Sequence, residues 1–189
     1  MPKLYVIIAS TRPGRKGPAI ANWIYDLAKK EGSFETELID LKEVNLPFLD
    51  EPNHPRLQKY EHEHTKAWSK TITAADAFIF ITPEYNFSFP ATLKNAIDFL
   101  HNEWLYKPVA FVSYGGVSAG TRCVQALKQV VSGLKMMPIP ESINIPMFTK
   151  YIDEQGVFKP EEGLDKAAAG MIKELLKWTE AMKPMRVKS

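Results

Sequence analysis

Apolar residues fall along this chain in two alternating patterns, short unbroken runs and longer stripes of helical period. Residues 4–9 (LYVIIA), 77–82 (AFIFIT) and 109–113 (VAFVS) carry no charge. Runs of that length predict strands buried on both faces, as in a parallel sheet. Residues 34–41 (FETELIDL) alternate only partly and predict a strand nearer an edge. Residues 137–145 hold a fifth strand interrupted by proline, again an edge feature.

The stripes lie between the runs. Ile20, Trp23, Ile24, Leu27 and Ala28 form one face of a helix opened by Pro18 and ended by Gly32. Residues 57–75 predict a second helix with Trp68 and Ile72 inward. A third opens at Pro90, with Leu93, Ala96, Ile97 and Leu100 inward and Lys94 paired to Asp98 outward. Val124, Leu127, Val131 and Leu134 mark a fourth. The fifth starts at Pro160, Glu161 and Glu162 and carries Leu164, Ala168, Met171, Leu175, Trp178 and Met182 on its apolar face. Residues 42–55 and 148–159 read as loops, residues 1–183 as a single domain, and 184–189 as a frayed tail.

Five strands alternating with five helices predict an α/β fold, a doubly wound, three-layer α/β/α arrangement around a parallel sheet. Of the two common orders, the flavodoxin-like 2-1-3-4-5 suits a chain with only five strands. Composition agrees: 189 residues with 45% hydrophobic and 24% charged positions are globular values and exclude disorder. A net charge of +2 gives no reason to expect nucleic acid or a membrane surface as partner. The run at 4–9 is too short to span a bilayer and reads as a strand, not a leader. Cys123 is the sole cysteine, so no internal disulfide forms, which suits a reducing cytoplasm.

Candidate chemistry sits in three loops, each following a predicted buried strand, where open parallel sheets hold ligands. After the first strand, Ser10, Thr11, Arg12, Arg15 and Lys16 crowd before Gly17 and Pro18. A helix amino end with hydroxyls and an arginine fork suits a phosphate, with a solvated, basic βα loop as the plainer alternative. The loop is neither a Walker A sequence nor G-x-G-x-x-G. After the third strand, Pro83, Glu84, Tyr85, Asn86 and Phe87 offer polar edges and flat rings, which suit a planar heteroaromatic ligand; an ordinary turn covering the core is the plainer alternative. The third loop is Tyr114-Gly-Gly-Val-Ser-Ala-Gly120.

Together, Ser10-x-Arg12, Thr82-Pro-Glu-Tyr-Asn86 with Leu93-Lys-Asn-Ala-Ile-Asp98, and Ser113-Tyr-Gly-Gly116 resemble the NADPH-dependent FMN reductase family over about residues 4–131. That family includes flavin, quinone, azo-dye and chromate reductases. The resemblance implies a flavodoxin-like homodimer or homotetramer binding FMN without a covalent link, with NADPH or NADH as cosubstrate and a small-molecule electron acceptor. It implies that Ser10, Arg12 and the amides around Gly17 and Pro18 hold the FMN phosphate. Pro83, Glu84, Tyr85 and Asn86 would line the ring edge carrying N5 and O4, and Tyr114, Gly115 and Gly116 the pyrimidine end, with Ser113 also among the cofactor-binding residues. Arg15 stands where many relatives have serine, which leaves its role open. No side chain is needed as a catalytic group, because the cofactor carries the chemistry; Tyr85 and Phe87 would wall a slot shared by nucleotide and acceptor. Helices over 90–100 and 121–135 would serve dimerisation.

Three other readings compete. Gly116-Val-Ser118-Ala-Gly120 matches the G-x-S-x-G nucleophile elbow, but His54, His62, His64 and His101 all precede Ser118, the wrong order for such a hydrolase. His62 and His64, two apart on a predicted helix, should point in different directions and make no metal site. An FMN-binding redox sensor with little turnover would use the same loops.

Overall fold

In the computed structural model, which describes residues 1–186, five parallel strands form one sheet in the order β2-β1-β3-β4-β5. The strands are β1 (Lys3–Ile8), β2 (Glu35–Asp40), β3 (Ala77–Pro83), β4 (Pro108–Tyr114) and β5 (Met137–Ile145). The helices are α1 (Gly17–Glu31), α2 (Leu41–Val44), α3 (Glu63–Ala74), α4 (Ala91–Asp98), α5 (Thr121–Gly133) and α6 (Glu162–Arg186). The flavodoxin-like order expected from five strands is the order present.

The unbroken apolar runs are explained by the two faces they serve. Leu4, Val6 and Ile8 pack under α1 and α6 with Ile79, Ile81 and Val112. Their alternates Tyr5, Ile7 and Ala9 pack under α3, α4 and α5 with Phe78, Phe80 and Phe111. Period-two alternation therefore divides the apolar residues of the central strands between the two cores. Trp104 tilts against Phe78 at 5.0 Å between centroids. Its indole N–H donates to the Ile97 carbonyl at 3.1 Å, and that of Trp68 to the Ala96 carbonyl at 2.8 Å. The two indoles thus add partners for carbonyls in the last turn of α4, where the intrahelical ladder runs out.

Boundaries differ from expectation where side chains cap the backbone. Asp40 accepts from the Lys42 N–H at 3.0 Å and starts the short α2 inside the expected loop. The second long helix begins at Glu63 instead of residue 57, because Tyr60 and Gln58 reach across to the buried Glu103 carboxylate at 2.8 and 3.2 Å. β5 is an edge strand, with an irregular register opposite Val109 and Phe111 at its prolines. α6 runs through Pro184 to Arg186, whose Nη1 donates to Asp76 Oδ1 at 2.9 Å; of the expected tail, 187–189 lie outside the described residues.

Candidate functional site

The three loops do converge, and each is rooted by a backbone bond that carries the sheet ladder one residue past a strand end. Ala9 N–H donates to the Ile81 carbonyl at 3.0 Å, Glu84 N–H to Tyr114 at 3.2 Å, and Gly115 N–H to Ile145 at 3.2 Å. They open at the carboxyl edge, where β1 and β3 lie side by side and their connections diverge, the usual ligand position of this topology.

In the first loop, Arg15 folds back. Its Nη1 donates to the Ser10 carbonyl at 2.6 Å, and Nη1 and Nη2 grip the Asp40 carboxylate. α1 starts without a side-chain cap, so its leading N–H groups are not consumed by a side chain. Arg12 and Lys16 are exposed beside that start. Ser10 is buried, and its hydroxyl accepts from the Tyr114 phenol at 3.2 Å. Gly17 packs over both: a Cβ there would stand 2.5 Å from Ser10 Oγ and 2.8 Å from the Tyr114 oxygen.

In the second loop, Tyr85 and Ser88 exchange backbone bonds of 2.8 and 3.0 Å across Asn86 and Phe87. Both intervening residues have positive φ, 48° and 69°, which makes a tight primed turn. Asparagine tolerates that conformation; phenylalanine does so at a penalty of about 1–2 kcal/mol. The Phe87 ring is 68% exposed and lies under the Arg122 guanidinium at 3.7 Å. Arg122, one residue into α5, also donates through Nε to Glu84 Oε1 at 2.6 Å, and Ser118 donates to the same oxygen at 3.1 Å. Burial alone would raise the Glu84 carboxyl, but Arg122 and Ser118 outweigh it and hold it below the usual carboxylate range.

In the third loop, the Tyr114 ring meets Phe148 edge-on at 4.9 Å, and burial raises its phenol above the ordinary value. Ser113 is turned inward, donating to the Ala119 carbonyl and bonding Asn144, both at 2.8 Å.

The cavity these loops enclose is about 500 Å³, within the range of small-molecule sites. Arg12, Arg15 and Lys16 line it from the first loop, Pro83, Glu84 and Tyr85 from the second, Tyr114, Gly115 and Gly116 from the third, with Phe148 beyond β5. Asn86 faces an adjoining hollow of about 530 Å³ with Phe87, Val117, Ser118 and Arg122; Glu84 and Gly116 border both. Ser10, Gly17, Pro18 and Ser113 are outside the lining, and of these Ser10, Gly17 and Ser113 are buried. A larger cavity, about 630 Å³, sits at the amino edge of β3 and β4. Its buried charges are already used: Glu103 accepts from Tyr60 and Ser69, and Lys107 donates to the Ile72 and Thr73 carbonyls.

A sequence profile described as NADPH-dependent FMN reductase matches residues 2–150. The chain belongs to the NADPH-dependent FMN reductase family. It is 44% identical over 163 residues to an NAD(P)H-dependent FMN reductase of Schizosaccharomyces pombe, covering 84% of this chain and 80% of the relative. It is 31% identical over 177 residues to an NAD(P)H:quinone oxidoreductase of Solanum tuberosum, covering 90% and 89%. Among solved structures, the flavoenzyme NAD(P)H:(acceptor) oxidoreductase FerB of Paracoccus denitrificans superposes with a TM-score of 0.77 at 24% identity, over 96% of this chain and 99% of that one.

For this member of the NADPH-dependent FMN reductase family, the remaining sequence readings resolve locally. Ser118 is bonded to Glu84 and Arg122, and the four histidines bond elsewhere, so no hydrolytic pair forms among the described residues. His62 and His64 stack at 5.2 Å, contrary to the expectation that they diverge. His62 precedes α3 in extended conformation, so helical spacing does not govern the pair. Both bond Asp50, and no group of three metal-ligating side chains occurs among the described residues. Burial pushes the Cys123 thiol up to about 12, which leaves it an inert core group. Phe148, Ser118 and Arg122 were not among the expected site residues. Phe148 follows β5 at the same edge as the other loops, and Arg122 is one helical turn past Ser118; those positions were the available signals.

Proposed function

We propose that this chain is an FMN-dependent NAD(P)H oxidoreductase acting on quinones, azo compounds or similar acceptors. One observation carries the reading: cations beside an uncapped helix start line a single cavity together with polar edges, rings and the open Gly116. The residues fit flavin mononucleotide. A Cβ at Gly116 would meet no protein atom within 4 Å, so this backbone borders free space a flat ring can approach. Arg12, Lys16 and the first amides of α1 would hold the phosphate. Pro83, Glu84, Tyr85, Gly115 and Gly116 would border the ring, with Asn86 at its margin. Ser10, Gly17, Pro18 and Ser113 act by position: they hold the loops at fixed spacing.

Bound FMN supplies two-electron chemistry, accepting hydride from NADPH or NADH and giving the pair to the acceptor. The chain orients the partners and excludes water. Tyr85 walls the slot, and Glu84, kept ionised by Arg122, fixes the loop.

We assign the described chain to one FMN-binding domain, a homodimer or homotetramer in the cytoplasm. Support for self-association is the exposed apolar trio Phe87, Val117 and Met147. Support for the reducing compartment is the lone, buried thiol. No helix among the described residues is long and apolar enough to cross a membrane. Purification followed by flavin release and NAD(P)H oxidation with a quinone tests the function. A colourless protein that does not bind added FMN overturns it, and FMN binding with negligible turnover would instead indicate a sensor.

A further inference from the structure

The hollow beside the main cavity has a feature that loop anchoring alone does not require. Arg122 is fixed along one edge only. Nε donates to Glu84 Oε1 at 2.6 Å, and Nη2 donates to Ser118 Oγ at 2.9 Å while pairing with the same carboxylate oxygen. Among the described residues, Nη1 donates to no protein atom. The guanidinium plane rests on Phe87 at 3.7 Å, and 44% of the side chain is exposed. Phe87 meanwhile keeps a left-handed backbone that disfavours its own side chain. Retained strain of this kind gathers at ligand clamps.

An arginine so tethered has already lost its rotamer freedom, so a ligand meeting it need not order it. The nitrogen left over, Nη1, offers its N–H groups to the oxygens of an anion. We propose that this hollow takes an anionic substituent (sulfonate, carboxylate or phosphate) of the molecule exchanging electrons in the adjoining cavity, with Arg122 as the group that reads it. The inference rests on the oxidoreductase reading above. Two sources carry that chemistry, an acidic acceptor and the phosphates of the reduced nicotinamide nucleotide.

The test uses FMN-loaded protein, the parent and the variants Arg122→Gln and Arg122→Lys. At saturating NADPH, kcat/KM is measured for 1,4-naphthoquinone-2-sulfonate and for 1,4-naphthoquinone. Binding of redox-inert 2-naphthalenesulfonate is measured by calorimetry. For an acceptor anion, the sulfonated-to-neutral ratio and the inert-sulfonate affinity each fall about tenfold in Arg122→Gln, the loss of one charge-assisted hydrogen bond. Arg122→Lys falls between, because the charge remains without the fork. For a nucleotide phosphate, the KM for NADPH rises about tenfold and the acceptor ratio holds. Unchanged ratio, KM and affinity in a variant that still binds FMN overturn the inference and leave the oxidoreductase reading standing. A parent that binds no FMN overturns both. If Arg122→Gln fails to fold, salt decides in the parent: between about 20 mM and about 500 mM salt the ratio falls for an acceptor anion or the KM for NADPH rises for a nucleotide phosphate, and constancy of both overturns the inference.

Discussion

Arg15 grips Asp40 with two parallel hydrogen bonds of 2.5 Å, one from each terminal nitrogen of the guanidinium. Arg15 is thus a brace between the phosphate-type loop and the end of β2. Burial pushes the Asp40 carboxyl up, but Arg15 and the Lys42 amide outweigh it and hold it below its ordinary value. A depressed carboxyl contributes stability above its unfolded value, about pH 4, and loses it as pH falls through the folded value. Arg15→Ala should therefore lower stability at pH 7 by about 2 kcal/mol. The variant should also lose less than the parent between pH 5 and pH 2, both read by urea unfolding. Equal acid sensitivity in parent and variant would count against the brace.

Arg12 contrasts with Arg15. Among the described residues its one hydrogen bond is a long 3.4 Å contact to the neighbouring Pro13 carbonyl. Arg12→Ala should leave stability within about 0.5 kcal/mol and weaken FMN binding at least about tenfold. Titration of apoprotein with FMN, followed by flavin fluorescence quenching, measures it. Unaltered affinity would remove Arg12 from the phosphate end.

Gly17→Ala should be severe despite alanine's better helix propensity. The new methyl would meet Ser10 Oγ and the Tyr114 oxygen well inside contact distance, and both are buried. Overpacking of this kind costs about 1–3 kcal/mol. Thermal melting should show the loss, and FMN affinity should drop with it because α1 would lift from the loop. A variant as stable as the parent would mean that the Tyr114 phenol yields easily.

Lys107 makes a prediction at the opposite edge. Its ammonium caps α3 through the Ile72 and Thr73 carbonyls at 2.7 and 3.1 Å. Burial first, then the charge of Arg186, lowers it to about 7, against the opposing pull of Asp76 and Glu103. The unfolded lysine titrates near 10.5, so between the two values the unfolded chain binds more protons and stability rises with pH. The parent-minus-variant stability difference for Lys107→Met should rise from pH 7 to pH 9.5, by at most about 1.4 kcal/mol per unit. A flat difference would show that the amine keeps its proton in the fold.

Patterning revealed the sheet because both faces of β1, β3 and β4 are buried over residues 4–8, 77–83 and 108–114, which leaves no charged position to blur the runs. Helix starts were harder to see. α2 and the late start of α3 depend on Asp40 and Glu103, side chains that satisfy backbone or loop groups and leave no period in the sequence. Motif position brought Arg12, Glu84, Tyr85 and Gly116 to the cavity, but could not tell lining from support. Ser10 and Ser113 share strand ends with lining residues and are turned into the core. Arg122 reaches Glu84 across 38 positions, a contact made only by folding.

The amides of Ala9, Glu84 and Gly115 give the receptacle its mechanical character. Each loop is stitched to the neighbouring strand's chain at its first residue, so its root moves only when the sheet itself frays. Deuterium uptake at these three amides should accordingly be as slow as in mid-strand, with or without flavin. Adjustment to differently shaped acceptors would then fall to the loop tips, Phe87 and Val117 above all.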